Sequence, residues 1–188
     1  MESKHKESVQ KVISYFNTGE SRWGYSLLLK GTKHFGYYPK GKEKISMKNA
    51  QRLMELELGK RLSKSKNARI LDAGSGEGNV AIHLAEKFGF KIEGVDLLDF
   101  AVKIARKKVK NLGLDKQVNF QVGDYTYLKF ADKTFDGAYT METLVHVPDY
   151  KKALKELYRV LKPGGKLVLF EYSVMPPGNL NENERKYW

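Results

Sequence analysis

From Ala68 onward the chain alternates short apolar runs with helical patterns, and this alternation constrains the fold more than any other feature. Short runs rich in Ile, Val, Leu and aromatic residues, bounded by Gly, Asp or Lys, are typical of buried strands. Helices between such strands are typical of a parallel sheet, so the fold class is α/β. The predicted strands cover residues 69–73, 91–96, 118–122, 135–140 and 166–172. The predicted helices between them cover about 79–88, 100–112 and 150–161.

The first 67 residues follow a different pattern. They predict helices over 4–16 and 47–62, on either side of an aromatic and glycine-rich stretch, 19–41. We interpret residues 1–67 as an N-terminal helical and aromatic cap on a core domain of residues 68–188. Lys64 to Asn67 form the best candidate boundary between them.

Composition excludes several classes of protein. A chain of 188 residues is long enough for one hydrophobic core and short for two. It has no apolar run long enough to span a membrane and no apolar leader, so we expect a cytoplasmic protein. The absence of cysteine excludes disulfides and thiolate chemistry, and the four histidines show no close ligand spacing. No metal site is predicted.

The net charge of +12 falls mainly in the first 67 residues. Such an excess attracts nucleic acid, anionic lipid headgroups or an acidic metabolite. A solvated lysine-rich surface is the simpler interpretation.

A glycine-rich turn follows the first predicted strand, in the segment 70–79. Gly74, Gly76 and Gly78 let the backbone approach a ligand, and the next helix presents unpaired amides to negative charge. A dinucleotide fingerprint needs Gly or Ala three residues after Gly76, and Asn79 stands there, which disfavours NAD. Asp96 ends the second strand 20 residues after Gly76, where a carboxylate can accept hydrogen bonds from both ribose hydroxyls.

The D-x-G-x-G-x-G spacing that begins at Asp72 resembles motif I of class I S-adenosylmethionine-dependent methyltransferases. The segments 123–125, 135–142 and 157–165 resemble later motifs of that family, so that the resemblance spans about 68–173. It implies a Rossmann-like sheet of order 3-2-1-4-5, with S-adenosylmethionine as cofactor. The loop would pass beneath the methionine end, and Asp124 would meet the adenine amino group. The implied cofactor-binding residues are Asp72, Gly74, Ser75, Gly76, Gly78, Asp96, Leu97, Gly123, Asp124, Tyr125 and Thr140, with Trp23 and Tyr37 from the cap.

Two further segments concern the methyl acceptor. Residues 139–149 resemble sterol C-methyltransferases and quinone-biosynthesis methyltransferases, and residues 22–26 and 34–39 resemble sterol, tocopherol and related small-molecule enzymes. The resemblance implies a small, lipid-like or aromatic acceptor. Glu142 and His146 are the candidate catalytic residues, since an imidazole suits a general base and a carboxylate can contact the acceptor or remove its proton. The alternative for Glu142 is a carboxylate that satisfies loop amides.

The cap is expected to close over the cofactor and to form part of the acceptor pocket. Its aromatic faces could stabilise a sulfonium or a carbocation, or could simply pack the cap onto the core. The residues expected in this role are Trp23, Tyr25, Tyr37 and Tyr38. His83, inside the first core helix, is expected to be structural.

Two alternative functions stay open. Enzymes that methylate an exocyclic base amine carry Asn or Asp, two prolines and an aromatic residue after the fourth strand, and residues 140–143 do not match. RNA methylation of another sort is one alternative, although a nucleic-acid partner is not expected. An inactive cofactor-binding partner subunit is the other.

The segment after Tyr172 has no strand pattern, because residues 173–188 contain two prolines and several asparagines. The family usually continues with a helix and an antiparallel strand pair, so the C-terminal part of the fold is expected to be missing. Strand five would then be an exposed edge, which invites association. We expect a homo-oligomer or a partner chain to cover it, or, as the alternative, N-terminal helices folded over the exposed face.

Overall fold

The computed structural model describes residues 2–18, 32–42 and 44–172. In chain order the elements are α1 (Glu2–Asn17), α2 (Met47–Leu62), β1 (Arg69–Ala73), α3 (Asn79–Phe88), β2 (Lys91–Asp96), α4 (Asp99–Asn111), β3 (Val118–Val122), β4 (Phe135–Met141), a 3₁₀ turn (Leu144–His146), α5 (Tyr150–Val160) and β5 (Leu161–Phe170). Apart from the start of β5, the helices and strands expected from the sequence lie within about two residues of these bounds.

The five strands form one parallel sheet of order β3-β2-β1-β4-β5, as the resemblance implied. β1 lies at the centre, where Ala73 pairs with Val95 of β2 and Asp72 pairs with Tyr139 of β4. The carboxyl ends of these strands therefore meet at one edge of the sheet. In open α/β sheets this edge is where ligands bind.

β5 begins five residues earlier than expected. Phe135 of β4 pairs with Leu161, and regular pairing resumes between Gly137 and Lys166, with an irregularity between them. The predicted turn around Pro163 and Gly164 lies at this irregularity, where β5 advances from 161 to 166 while β4 advances from 135 to 137. Gly164 has a φ of 78°, which a glycine adopts without steric cost.

α2 packs against β4 and β5. Leu58 and Leu62 of this helix are buried in the main apolar cluster, and the Arg61 guanidinium lies 5.9 Å from the centre of the Phe170 ring. An N-terminal helix therefore covers one face of β5. Among the described residues β5 pairs only with β4, and the expected oligomer and the division at residue 67 stay predictions.

Within the described residues, no helix is both long enough and apolar enough to cross a membrane. The same part of the chain contains no cluster of His, Cys, Asp and Glu suited to a metal ion.

Candidate active site

A cavity of about 430 Å³ opens at the carboxyl edge of the sheet. The glycine-rich loop after β1 and the residues that follow β2, β3 and β4 form its floor. α1 contributes Val9, Val12 and Phe16, and the segment 32–35 forms a further wall. α1, the segment 32–35 and the carboxyl edge of the sheet thus line one site.

The glycine-rich loop is held beneath the cavity by β2. The amides of Gly74 and Ser75 donate to the Val95 carbonyl over 2.8 and 3.1 Å. Gly74 has a φ of 88°, and a Cβ there would lie 2.6 Å from Thr143. Gly76 has a φ of 51° with no heavy atom within 4 Å of the position a Cβ would take. The loop therefore needs glycine for its backbone conformation and leaves open space for a ligand.

Asp96 is fixed by backbone amides at the end of β2. Its Oδ2 accepts from Gly76 over 2.7 Å, and its Oδ1 accepts from Leu98 over 2.9 Å. Burial raises the pKa of this carboxyl, while the two amides and the charge of Lys33 oppose the rise. Each oxygen keeps a second acceptor position, so the carboxylate can receive two neighbouring hydroxyls.

Two buried polar atoms of the cavity lining lack a hydrogen-bond partner among the described residues. They are Oδ2 of Asp72 and Oγ of Ser75. Burial raises the pKa of Asp72 to about 7, with a smaller contribution from the charge of Asp96 and an opposing one from the Tyr139 hydroxyl. Because buried polar groups are nearly always paired, these atoms are consistent with a polar ligand in the cavity.

Asp124, after β3, joins the cavity to α1. Its Oδ1 accepts from the amide and the hydroxyl of Thr126 over 2.8 and 2.7 Å, and its Oδ2 lies 2.8 Å from Nε2 of His5. The His5 ring also lies edge-on to Tyr127, with 5.1 Å between the ring centres. α1 is therefore attached to the loop where the resemblance places the adenine site.

The candidate catalytic residues both lie in the cavity, beyond the end of β4. Glu142 has a φ of 55°, and its Oε1 accepts from the Phe35 amide over 2.8 Å. Burial raises the pKa of Glu142, although the Phe35 amide and the charge of His34 oppose this. Burial lowers the pKa of His146, whose ring packs edge-on against Phe16 at 5.1 Å. Burial thus favours the neutral form of both side chains.

Sequence reasoning missed Glu171, which follows β5. Its Oε1 accepts from the Thr140 hydroxyl over 2.6 Å and from the Leu144 amide over 3.2 Å. Its Oε2 is buried and has no hydrogen-bond partner among the described residues. The charge of Glu171 favours the protonated forms of both Glu142 and His146. The available sequence signal was its position at the carboxyl end of a predicted parallel strand, where functional side chains are expected.

The other predicted site residues divide into three groups. Leu97 and Tyr125 line the cavity beside the residues already described. Gly78, Gly123, Thr140 and Tyr37 do not line it; Tyr37 is 44% exposed and Tyr38 is 43% exposed. Trp23 and Tyr25 lie outside the described residues.

A family model described as a methyltransferase domain matches residues 71–169. The chain belongs to this methyltransferase family. Its cofactor is S-adenosylmethionine, and the fold and cofactor implied by the motifs are confirmed.

Relatives of this family member include a S-adenosyl-L-methionine-dependent Diels–Alderase of Talaromyces variabilis, 39% identical over 91% of the chain and 60% of that protein. Norajmaline N-methyltransferase of Rauvolfia serpentina is 32% identical over 89% of the chain and 60% of that protein. Among solved structures, the [4+2]-cyclase SpnF superposes with a TM-score of 0.80 at 27% identity, over 87% of the chain and 60% of that structure. The chain thus spans about 60% of the length of these relatives.

Proposed function

We propose that this chain transfers a methyl group from S-adenosylmethionine to a small natural-product acceptor. The observation that carries the proposal is the presence of Glu142 and His146 in the same cavity as the glycine-rich loop and Asp96. Both side chains lie beyond the end of β4, apart from the loop and from Asp96, where an acceptor beside the cofactor could reach them.

The residues present fit the cofactor. The loop 74–78 would hold the methionine end, Asp96 the ribose hydroxyls, and Asp124 with Leu97 the adenine. The unpartnered oxygens of Asp72 and Ser75 provide further polar contacts. When bound, the cofactor supplies a methyl group activated by its sulfonium.

The rest of the cavity lining indicates which kind of acceptor would bind. Val9, Val12 and Phe16 of α1 present an apolar surface in the same lining as Glu142 and His146, and the Phe16 ring contacts that of His146. This surface supports a lipid-like or aromatic acceptor. His146, with its lowered pKa, is a neutral base in neutral solution and can take a proton from the acceptor. The aligned groups lower the barrier mainly through orientation.

Two of the relatives favour a second candidate function, because the Diels–Alderase and the [4+2]-cyclase are named for ring-forming reactions. Norajmaline N-methyltransferase, in contrast, supports methyl transfer to a small molecule. In such a reaction the cavity would bind the cofactor and hold a substrate in a folded conformation, and the methyl group of the cofactor would not be transferred. No group would need to remove a proton, so Glu142 and His146 would be dispensable as bases.

One assay distinguishes the two functions. The chain is incubated with S-adenosylmethionine labelled on its methyl group and with a metabolite extract or total RNA. Methyl transfer predicts label in a small molecule, and His146→Gln and Glu142→Gln should reduce it. Asp99→Asn, an exposed carboxylate paired with Lys103, is the control and should not. Saturable cofactor binding without any labelled product would favour ring formation or an inactive partner, and label in RNA would favour the RNA alternative.

A further inference from the structure

Glu55 of α2 is a fully buried carboxylate with three basic partners. Its Oε1 lies 3.2 Å from Nε2 of His34, and its Oε2 accepts from Nη1 of Arg52 over 2.6 Å. Nδ1 of His83, from α3, also lies against Oε2. Burial alone raises the pKa of Glu55, but the hydrogen bonds from these partners bring it down to about 2. Glu55 is therefore ionised.

His34 faces hydrogen-bond acceptors at both ring nitrogens. Nδ1 lies 2.6 Å from the Phe35 carbonyl, and Nε2 faces the ionised Glu55. Neither partner can donate, so a neutral imidazole would leave one of these contacts without a proton. The residue is only 3% exposed, and water cannot readily replace the missing bond. Only a ring that carries a proton on each nitrogen would donate to both acceptors.

α2 also fixes the backbone on both sides of His34. The side-chain amide of Gln51 donates to the backbone carbonyls of His34 and Thr32 over 2.8 and 3.2 Å. The backbone amide of Tyr37 donates to the Ala50 carbonyl over 2.9 Å. A Cβ at Gly36 would lie 2.4 Å from that of Ala50. The wall segment 32–37 is thus bound along its length to one helix.

The segment 32–37 also contacts the candidate catalytic carboxylate of Glu142. The Phe35 amide, next to His34, donates to Glu142 over 2.8 Å. The charge of His34 lowers the pKa of Glu142, while that of Glu171 raises it. The titratable and charged groups near His34 among the described residues include Glu55, with its partners Arg52 and His83, Glu142 beyond β4, and the adjacent Lys33. Loss of the His34 charge would remove a cation that stabilises the Glu142 carboxylate.

We propose that Glu55 is a positioning residue for Glu142: it keeps His34 as an imidazolium and holds the Phe35 amide on the Glu142 carboxylate. Burying a charged pair costs desolvation energy, which only good geometry and additional hydrogen bonds offset. The catalytic consequence rests on the proposed function. The electrostatic arrangement does not, and it is measured on the protein without cofactor or acceptor.

The test uses long-range ¹H–¹⁵N spectra of the histidine rings and carboxyl ¹³C titration of the glutamates. His34→Gln and Glu142→Gln assign the signals. In the wild type near neutral pH, both nitrogens of His34 should carry protons. In Glu55→Gln, His34 should lose one proton, and the midpoint of the Glu142 titration should move to higher pH.

Glu57→Gln is the matched control, since Glu57 lies on the same helix and pairs with Lys60 and Arg61 at the surface. It should leave both signals unchanged. If Glu55→Gln does not fold, His34→Gln should still raise the Glu142 midpoint. A neutral His34 in the wild type, or a Glu142 midpoint unmoved in the folded variants, would overturn the proposal. A purely structural Glu55 would change stability and neither signal, and failure of methyl transfer would leave these measurements unaffected.

Discussion

Nε2 of His5 lies 2.8 Å from Oδ2 of Asp124, although the two residues are 119 positions apart in the chain. The contact attaches α1 to the loop after β3. It thereby places Val9, Val12 and Phe16 over the cavity. The position of α1 is therefore coupled to the carboxylate proposed to meet the adenine.

Replacing His5 with alanine should loosen α1. The side chain is largely buried against its partner, so the pair is expected to contribute up to about 1 kcal/mol to the docked state. Hydrogen exchange of residues 2–17, followed by mass spectrometry, should become up to roughly fivefold faster. Lys11→Ala removes an exposed pair with Glu7 on the same helix and should change exchange little. Equal protection in His5→Ala and wild type would show that the contact does not hold α1.

Asp72 should make the protein less stable as pH rises. Its folded-state pKa of about 7 exceeds the ordinary value of 3.8, so between these values the unfolded chain loses a proton that the folded chain keeps. The cost is absent below about pH 4 and complete above about pH 7, where it should reach a few kcal/mol. Urea unfolding should therefore show wild type losing stability relative to Asp72→Asn over this window.

Asp136 provides a control of opposite sign. Hydrogen bonds from Lys162 and the Arg69 amide lower its pKa although burial opposes them, so its stabilising contribution is present at neutral pH and is lost on acidification. Asp136→Asn should accordingly lose more stability near pH 7 than near pH 3. A wild type and Asp72→Asn with parallel pH curves would contradict the assignment of a raised pKa to Asp72.

Gly74→Ala should cost more stability than Gly113→Ala. Both glycines have positive φ, 88° and 68°, and alanine in that region costs about 1–2 kcal/mol. Only at Gly74 would the added Cβ also meet Thr143, at 2.6 Å, because nothing lies within 4 Å at Gly113. Urea unfolding measures the difference. Equal losses would mean that Thr143 moves away without cost.

The sheet could be predicted from sequence because its evidence is local. Each strand is an apolar run with its own turn residues, and the glycine loop and Asp96 keep a fixed spacing. The predicted start of β5 was wrong by five residues, because Leu161 already pairs with Phe135 before the irregularity around Pro163 and Gly164.

The contacts between cap and core could not be predicted in the same way. His34, Glu55 and His83 are far apart in sequence, and no spacing rule connects them. His83 was expected to be structural, and it is buried against Glu55, but the role of that cluster beside the cavity had no sequence signal. Likewise Tyr37 resembles a pocket residue in sequence, yet it lies half-exposed outside the cavity lining.

Calorimetric titration with S-adenosylmethionine tests the central claim most directly. The wild type should bind one cofactor per chain, and Asp96→Ala should weaken binding by about 1–3 kcal/mol because a charged acceptor is lost from a buried site. Asp99→Ala, three residues further on and paired with Lys103 at the surface, should bind like wild type. Absence of saturable binding to the wild type, or equal affinity in wild type and Asp96→Ala, would contradict the cofactor site described above.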